Sequence, residues 1–199
     1  MIPTNLDRIA REAGGELSPA GAGAVTADRI CTDSRGASPG SLFVALQGER
    51  TDGHRFVADA FRNGSSAAMV AQSAAGGLSL EPQWPLIVVP DPLRGLQSLA
   101  AWQRREYFGK VLAITGSNGK TIVKDALKSL LAGRKMLASP GSYNSQLGLP
   151  LAVLSAEKPE DLAILEVGVS APGEMEPLER IAAPDFGILT NIGMAHFSA

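Results

Sequence analysis

Two kinds of apolar spacing alternate along the chain. The runs Ile30–Thr32, Leu42–Leu46, Ala67–Ala71 and Leu86–Val89 are too brief for helices and are bounded by turn-forming residues, so they predict short buried strands. Asp33-Ser34-Arg35-Gly36 and Ser38-Pro39-Gly40 carry loop chemistry. The stretch His54–Asn63 has Phe56, Ala60 and Phe61 at helical spacing and Gly64 as a stop, which predicts a helix. Ala74-Ala75-Gly76-Gly77 predicts a loop. Asp91-Pro92 opens a longer helix: a capping carboxylate precedes a proline at the first helical position. Leu93, Leu96, Leu99, Ala100 and Gln103 then share one face as far as about Tyr107.

A more regular alternation begins after Phe108-Gly109-Lys110. Val111–Thr115 predicts a buried strand, and Gly119–Ala132 a helix with Val123, Leu127, Leu130 and Leu131 inward and Gly133 at its end. Leu162–Val167 predicts a second strand, Gly173–Ala183 a second helix and Phe186–Thr190 a third strand. Strands alternating with helices imply a parallel sheet with right-handed crossovers. The expected organisation is therefore α/β in two domains: a small one over residues 1–108 and a parallel-sheet one over 109–199.

Composition narrows the classes. The chain has 199 residues, is 45% apolar and carries a net charge of −2 with the signs mixed. It lacks the basic excess that neutralises a nucleic-acid backbone. No apolar run approaches the roughly 18 residues needed to span a bilayer. The single cysteine, Cys31, forms no internal disulfide and reads as a small core residue. The start, Met1-Ile2-Pro3-Thr4-Asn5, has no signal-peptide pattern. A reducing cytoplasm, with no nucleic acid and no membrane as partner, is the expected setting.

The sharpest chemical signal is Thr115-Gly116-Ser117-Asn118-Gly119-Lys120-Thr121, set between a predicted strand and a predicted helix. Glycines there let the backbone approach phosphate oxygens, and successive N–H groups at a helix start point at them. Lys120 is placed to neutralise β- and γ-phosphates, and the Thr121 hydroxyl to ligate Mg²⁺. The full P-loop pattern is shortened, because Ile114 stands at its first glycine position. Glu166 closes the second strand, and His196 follows the third after Asn191-Ile192-Gly193. Ligands of open parallel sheets gather at the carboxyl ends of the strands. Glu166 is costly near an apolar strand end without a partner. His196 alone also reads as a solvated histidine. A second polar cluster joins Asp33-Ser34-Arg35 to Gly48–His54: Arg35 or Arg50 suits a diphosphate, Ser34 a base or sugar, and exposed turns are the plainer reading.

Five motifs together identify the family that the chain resembles. They are TDSRGASPGSLFVALQGERTDGHRF at 32–56, AITGSNGKT at 113–121, SYNSQLGLPL at 142–151, ILEVGVSAPGEM at 164–175 and GILTNIGMAH at 187–196. In this order they resemble the Mur ligases, and most closely those members that add D-alanyl-D-alanine to UDP-N-acetylmuramoyl-tripeptide. The resemblance implies ATP-dependent formation of an acyl phosphate on the substrate carboxylate, followed by amine attack that makes the peptide bond. It implies that Ser34, Arg35 and Arg50 hold the UDP end, and that the loop Thr115–Thr121 holds ATP. Lys120, Glu166 and His196 become the catalytic set, with Thr121, Glu166 and His196 serving Mg²⁺. Asn144 and Ser145 lie in the loop near substrate and phosphate.

The sequence departs from the pattern at Ile122, where many members have a second Thr, and at Ser145, which replaces a second Asn. Family members also continue into a longer central domain with a carbamylated lysine and into a third domain that closes over ATP. The resemblance thus implies that this is an amino-terminal part with an unfinished central sheet, whose apolar edge invites self-association. The alternatives are another Mur-type ligase, such as one adding the third amino acid; a folylpolyglutamate synthase, disfavoured by the Asp33–Arg35 and Gly48–His54 motifs; a P-loop kinase or NTPase, disfavoured by the shortened loop with Asn118 and by the Asn144 motif; and a non-catalytic UDP-sugar-binding module, which the unfinished central domain favours.

Overall fold

The structure is a computed structural model and describes residues 1–48 and 51–193. The chain divides into two compact units, Met1–Leu99 and Ala100–Ala199.

The first unit opens with β1 (Thr4–Asn5) and α1 (Leu6–Ala13). The side-chain oxygen of Asn5 caps α1 by accepting the Arg8 N–H at 2.8 Å. Leu6, Ile9, Ala10 and Ala13 make its buried stripe, and Gly14, at φ 70°, ends it. The following strands are β2 (Glu16–Ser18), β3 (Thr26–Ala27), β4 (Arg29–Cys31) and β5 (Ser41–Val44). Then come α2 (Val57–Arg62), β6 (Ala67–Ala71), α3 (Gln72–Ala75) and β7 (Leu86–Val89). The main sheet runs β2-β7-β6-β5-β4; β4 to β7 pair in parallel and β2 is antiparallel to β7. β1 and β3 form a separate antiparallel pair.

Every residue of β5 and β6 is buried, which is why both read as unbroken apolar runs rather than alternating ones. Phe43, Val57, Ala60, Phe61, Ala68 and Val70 form a core cluster. Phe61 stacks on Trp84 with ring centroids 4.7 Å apart. Two expectations change here. The helix expected over His54–Asn63 is a 3-10 turn, Gly53–Phe56, followed by α2, because the Asp52 carboxylate caps the His54 N–H and starts a separate turn. The loop expected at Ala74–Gly77 is partly helical: Gln72–Ala75 closes one turn before the two glycines.

A helix, α4 (Pro92–Tyr107), leads the chain onward; the Asp91 carboxylate caps its first turn, accepting the Leu93 N–H at 2.8 Å. The second unit contains β8 (Phe108–Thr115), α5 (Lys120–Leu130), β9 (Met136–Ala138) and α6 (Gly148–Leu154). β10 (Glu160–Glu166), α7 (Met175–Ala182) and β11 (Phe186–Leu189) complete the described elements. Its sheet is parallel throughout, in the order β11-β8-β10-β9. Glu166 pairs with Ile114 and Leu189 with Thr115, so three strands deliver their carboxyl ends to one edge of the sheet. The buried Arg104 guanidinium braces the far side, donating to the carbonyls of Ala182 (2.9 Å) and Ala183 (2.6 Å) and to Asp185 (3.1 Å).

The inward face expected for α5 is corrected. Leu130 is 80% exposed, Val123 and Leu127 are half-buried, and the one buried residue of the helix is Lys124. A lysine replaces a leucine on the sheet side because acidic and carbonyl oxygens wait for it there.

Candidate functional site

The phosphate loop is shaped by its glycines and by the segment after β11. Gly116 follows β8 at φ 129° and Gly119 precedes α5 at φ 83°, backbone that side chains rarely adopt. A Cβ on Gly116 would lie 2.2 Å from the Thr190 hydroxyl oxygen and 2.9 Å from the Asn191 carbonyl, so two backbone segments meet there. The Asn191 carbonyl accepts the Ser117 N–H at 3.1 Å, and its side-chain oxygen accepts the Asn118 N–H at 2.9 Å. The Thr190 hydroxyl donates to the Asn118 carbonyl at 2.6 Å, and Ser117 Oγ accepts the Gly193 N–H at 2.9 Å. Lys120 Nζ folds back onto the Gly116 carbonyl at 2.5 Å.

Glu166 ends β10 fully buried. Its Oε2 accepts the Thr121 hydroxyl at 3.1 Å, and its Oε1 pairs with Lys124 Nζ at 3.0 Å. Lys124 Nζ also donates to the carbonyls of Ser139 (3.0 Å) and Gly141 (2.7 Å). Ser139 Oγ accepts the Glu166 N–H at 3.1 Å. Thr115, Gly116, Ser117, Asn191 and Ile192 border a cavity of about 390 Å³ whose far wall is the turn Val169–Pro172. That turn is folded by Glu174, whose carboxylate accepts the N–H groups of Ser170 and Ala171 and is thereby held below the usual carboxylate range.

The loop before α6 sits against the turn that follows β10. The Asn144 carbonyl accepts the Gly168 N–H at 2.8 Å, and a Cβ on Gly168 would lie 3.0 Å from the Asn144 amide. Ser145 is exposed, and its hydroxyl oxygen accepts the Gly148 N–H at 3.1 Å, which starts α6.

The first unit holds a separate cavity of about 820 Å³, bordered by Ser34, Arg35, Phe43, Phe56, Arg62 and Asn63 among others. Ser34 is buried, and its carbonyl accepts the Asn63 side-chain amide at 2.9 Å. Arg35 is exposed and forked onto Asp33, with Nη2 2.6 Å from Oδ2 and Nε 3.0 Å from Oδ1. That guanidinium holds the Asp33 carboxyl down at about 2. Behind the cavity, the buried His54 ring is pinned between Asp52 (Nδ1 to Oδ1, 2.6 Å) and the Ala71 N–H, which Nε2 accepts at 2.9 Å. The Nδ1–H tautomer follows. Cys31 donates its thiol to the Asp33 carbonyl, and burial pushes that thiol up.

The structure therefore brings Thr115 to Thr121 and Glu166 together, sets Asn144 against Gly168, and gathers Ser34 and Arg35 at the other cavity. Arg50 and His196 lie outside the described residues. Four participants escaped the sequence reading as individuals. Lys124 sits one helical turn beyond Lys120. Asn191 lies inside a motif whose histidine drew attention first. Arg62 and Asn63 close α2, where they read as an ordinary helix end.

Comparison with known proteins gives the same picture. A family model described as Mur ligase family, catalytic domain, matches residues 26–104, and one described as Mur ligase middle domain matches residues 114–199. The UDP-N-acetylmuramoyl-tripeptide–D-alanyl-D-alanine ligase of Bacillus subtilis (strain 168) is 36% identical over 98% of this chain and 42% of its own length. Its Escherichia coli (strain K12) counterpart is 33% identical over the same shares. A crystal structure of MurF from Acinetobacter baumannii superposes with a TM-score of 0.87 at 32% identity, covering 98% of this chain and 42% of that one. MurF ligase from Thermotoga maritima, solved in complex with ADP, gives 0.76 at 34% identity, covering 85% and 39%. The chain spans about two fifths of the length of these relatives. With both family models matched in sequence order over units that carry the phosphate loop and its strand-end glutamate, the chain belongs to the Mur ligase family.

Proposed function

We propose that the chain supplies the UDP-precursor unit and the phosphate-binding sheet of an ATP-dependent amide ligase of cytoplasmic peptidoglycan synthesis. That ligase joins D-alanyl-D-alanine to UDP-N-acetylmuramoyl-tripeptide through an acyl phosphate. The carrying observation is the Glu166 carboxylate, buried at a strand end with Oε2 3.1 Å from the Thr121 hydroxyl, beside a glycine-shaped phosphate loop. That a relative was solved in complex with ADP supports an adenine nucleotide as ligand. The functional division falls at residues 108/109, at the start of β8, the strand that leads into the phosphate loop.

In this reading Lys120 and the N–H groups at the start of α5 bind the β- and γ-phosphates, the Ser117 and Asn118 N–H groups being taken by Asn191, and so offset charge as phosphoryl transfer proceeds. Thr121 and Glu166 present two hard oxygens, a donor set that fits Mg²⁺, which takes few protein oxygens and completes its shell with phosphate and water. When bound, that ion supplies charge neutralisation at the transferring phosphoryl group. His196 joins the same set. Asn144 and Ser145 bring the carboxylate-bearing peptide toward the γ-phosphate. Ser34 and Arg35, with Arg50, take the uridine diphosphate end; Arg35 exchanges its Asp33 partner for phosphate, a trade of one bidentate anion for another. The test is a thermal-shift comparison of UDP-N-acetylmuramoyl-tripeptide, UDP, folate and ATP with Mg²⁺. Stabilisation by the first, second and fourth is expected. Stabilisation by folate in place of UDP ligands would overturn the assignment.

A further inference from the structure

Lys124 belongs to none of the roles above, yet it is the most completely buried cation described in the second unit. Its side chain is 4% exposed and that of its partner Glu166 is 0% exposed. An ammonium has three N–H donors. Two of them meet the carbonyls of Ser139 and Gly141, while the Glu166 Oε1 lies 3.0 Å from Nζ as an ion pair outside hydrogen-bond geometry. Asp125 stands farther off at 3.6 Å and is 64% exposed, so it competes little.

A buried ion pair is weak evidence of stability, because apolar side chains of similar size pack as well. What distinguishes this pair is its consequence for the other carboxylate oxygen. With Oε1 drawn to the Lys124 ammonium at 3.0 Å and Oε2 accepting the Thr121 hydroxyl, the two carboxylate oxygens are held on opposite partners. Oε2 is left facing Thr121, on the side of the phosphate loop. The same ammonium holds the Ser139–Gly141 turn, which leads into the loop that carries Asn144.

We propose that Lys124 is a positioning residue: it orients Glu166 so that Oε2 alone is offered to the divalent cation that accompanies the nucleotide. The inference rests on the nucleotide-site reading above. Groups that orient a metal ligand change metal affinity about 10–100-fold when removed.

The experiment is calorimetric titration of ATP into the 199-residue chain at stepped Mg²⁺ concentrations. It compares wild type with Lys124→Met, Lys124→Gln, Glu166→Gln and the Lys124→Met/Glu166→Gln double variant. The expected result for both Lys124 variants is a Mg²⁺ midpoint raised at least tenfold, with ATP affinity in the absence of Mg²⁺ within about twofold of wild type. The double variant should match Glu166→Gln alone, because the lysine acts through the carboxylate. An unchanged midpoint in a folded Lys124 variant overturns the proposal, as does a metal-free ATP affinity that falls in step with it. If Lys124→Met does not fold, Lys124→Gln, which keeps a donor, decides. Wild-type chain without any Mg²⁺-dependent ATP binding would instead overturn the site reading itself, and the positioning role with it.

Discussion

Adding one methyl group at Gly116 tests whether the phosphate loop is held by the close approach described above. Alanine there must adopt φ 129°, which costs about 1–3 kcal/mol. Its Cβ also meets the Thr190 hydroxyl oxygen at 2.2 Å and the Asn191 backbone at 2.9 and 3.0 Å. Thr190 can rotate, but that releases the Asn118 carbonyl it serves; the Asn191 backbone has no such freedom. Overpacking of this kind costs about 1–3 kcal/mol more. The sum is about 4 kcal/mol, a large part of the roughly 5–15 kcal/mol that holds a typical domain. Gly119→Ala is the control, because φ there is 83° but nothing lies within 4 Å of the added carbon. Its cost is the backbone term alone, about 1–2 kcal/mol. The assay is urea unfolding read by Trp102, in a Trp84→Phe background that removes the other tryptophan. A gap of about 2 kcal/mol between the two variants is expected from the overpacking term. Equal losses, or less than about 1 kcal/mol for Gly116→Ala, would show that the loop does not depend on the contact with Thr190 and Asn191.

Other consequences follow from the same geometry. In a complete ligase bearing this sequence, Lys120→Ala should cut turnover by a factor on the order of 100 or more, as loss of a charge-stabilising donor does; near-normal phosphate release would remove Lys120 from the site. Glu166→Gln should leave the fold intact, because it keeps the shape of the side chain, while weakening the magnesium dependence by removing a hard anionic oxygen; an unchanged magnesium titration would make Glu166 purely structural. Asp33 is held down at about 2 by Arg35, against 3.8 unperturbed, so its ion pair stabilises above about pH 3.8 and is lost as pH falls toward 2. Calorimetric melting of wild type and Asp33→Asn should therefore converge over that interval, and parallel curves would deny the coupling. Arg62→Ala and Asn63→Ala should each weaken UDP binding severalfold in a direct titration without altering ATP binding, since both border the first-unit cavity.

Much of this architecture was visible as pattern. β6 and β7 were legible to the residue because buried parallel strands are unbroken apolar runs flanked by turn residues. α4 was legible because Asp91 and Pro92 state its start chemically. The phosphate loop was legible because its glycines and lysine serve one geometry, and Gly116 and Gly119 both have positive φ. β9 and α6 were not. Met136–Ala138 is three half-buried residues, and α6 contains Pro150, which is tolerated in a first turn but reads as a breaker. Lys124 was not legible either. A lysine in a helix reads as solvated, and only pairing with β10 makes it an interior residue. Leu130 was misread for the complementary reason: helical spacing marks a face without saying which flank of it meets the sheet.

The central claim is that one chain carries two separate sites, one for a uridine diphosphate precursor and one for ATP. Isothermal titration of each ligand into wild type, Asn63→Ala and Lys120→Ala chains tests it most directly. The account predicts that Asn63→Ala weakens UDP-N-acetylmuramoyl-tripeptide binding and leaves ATP·Mg²⁺ binding unchanged, and that Lys120→Ala does the reverse. Loss of both ligands in either folded variant, or failure of the wild-type chain to bind the UDP compound, would contradict it.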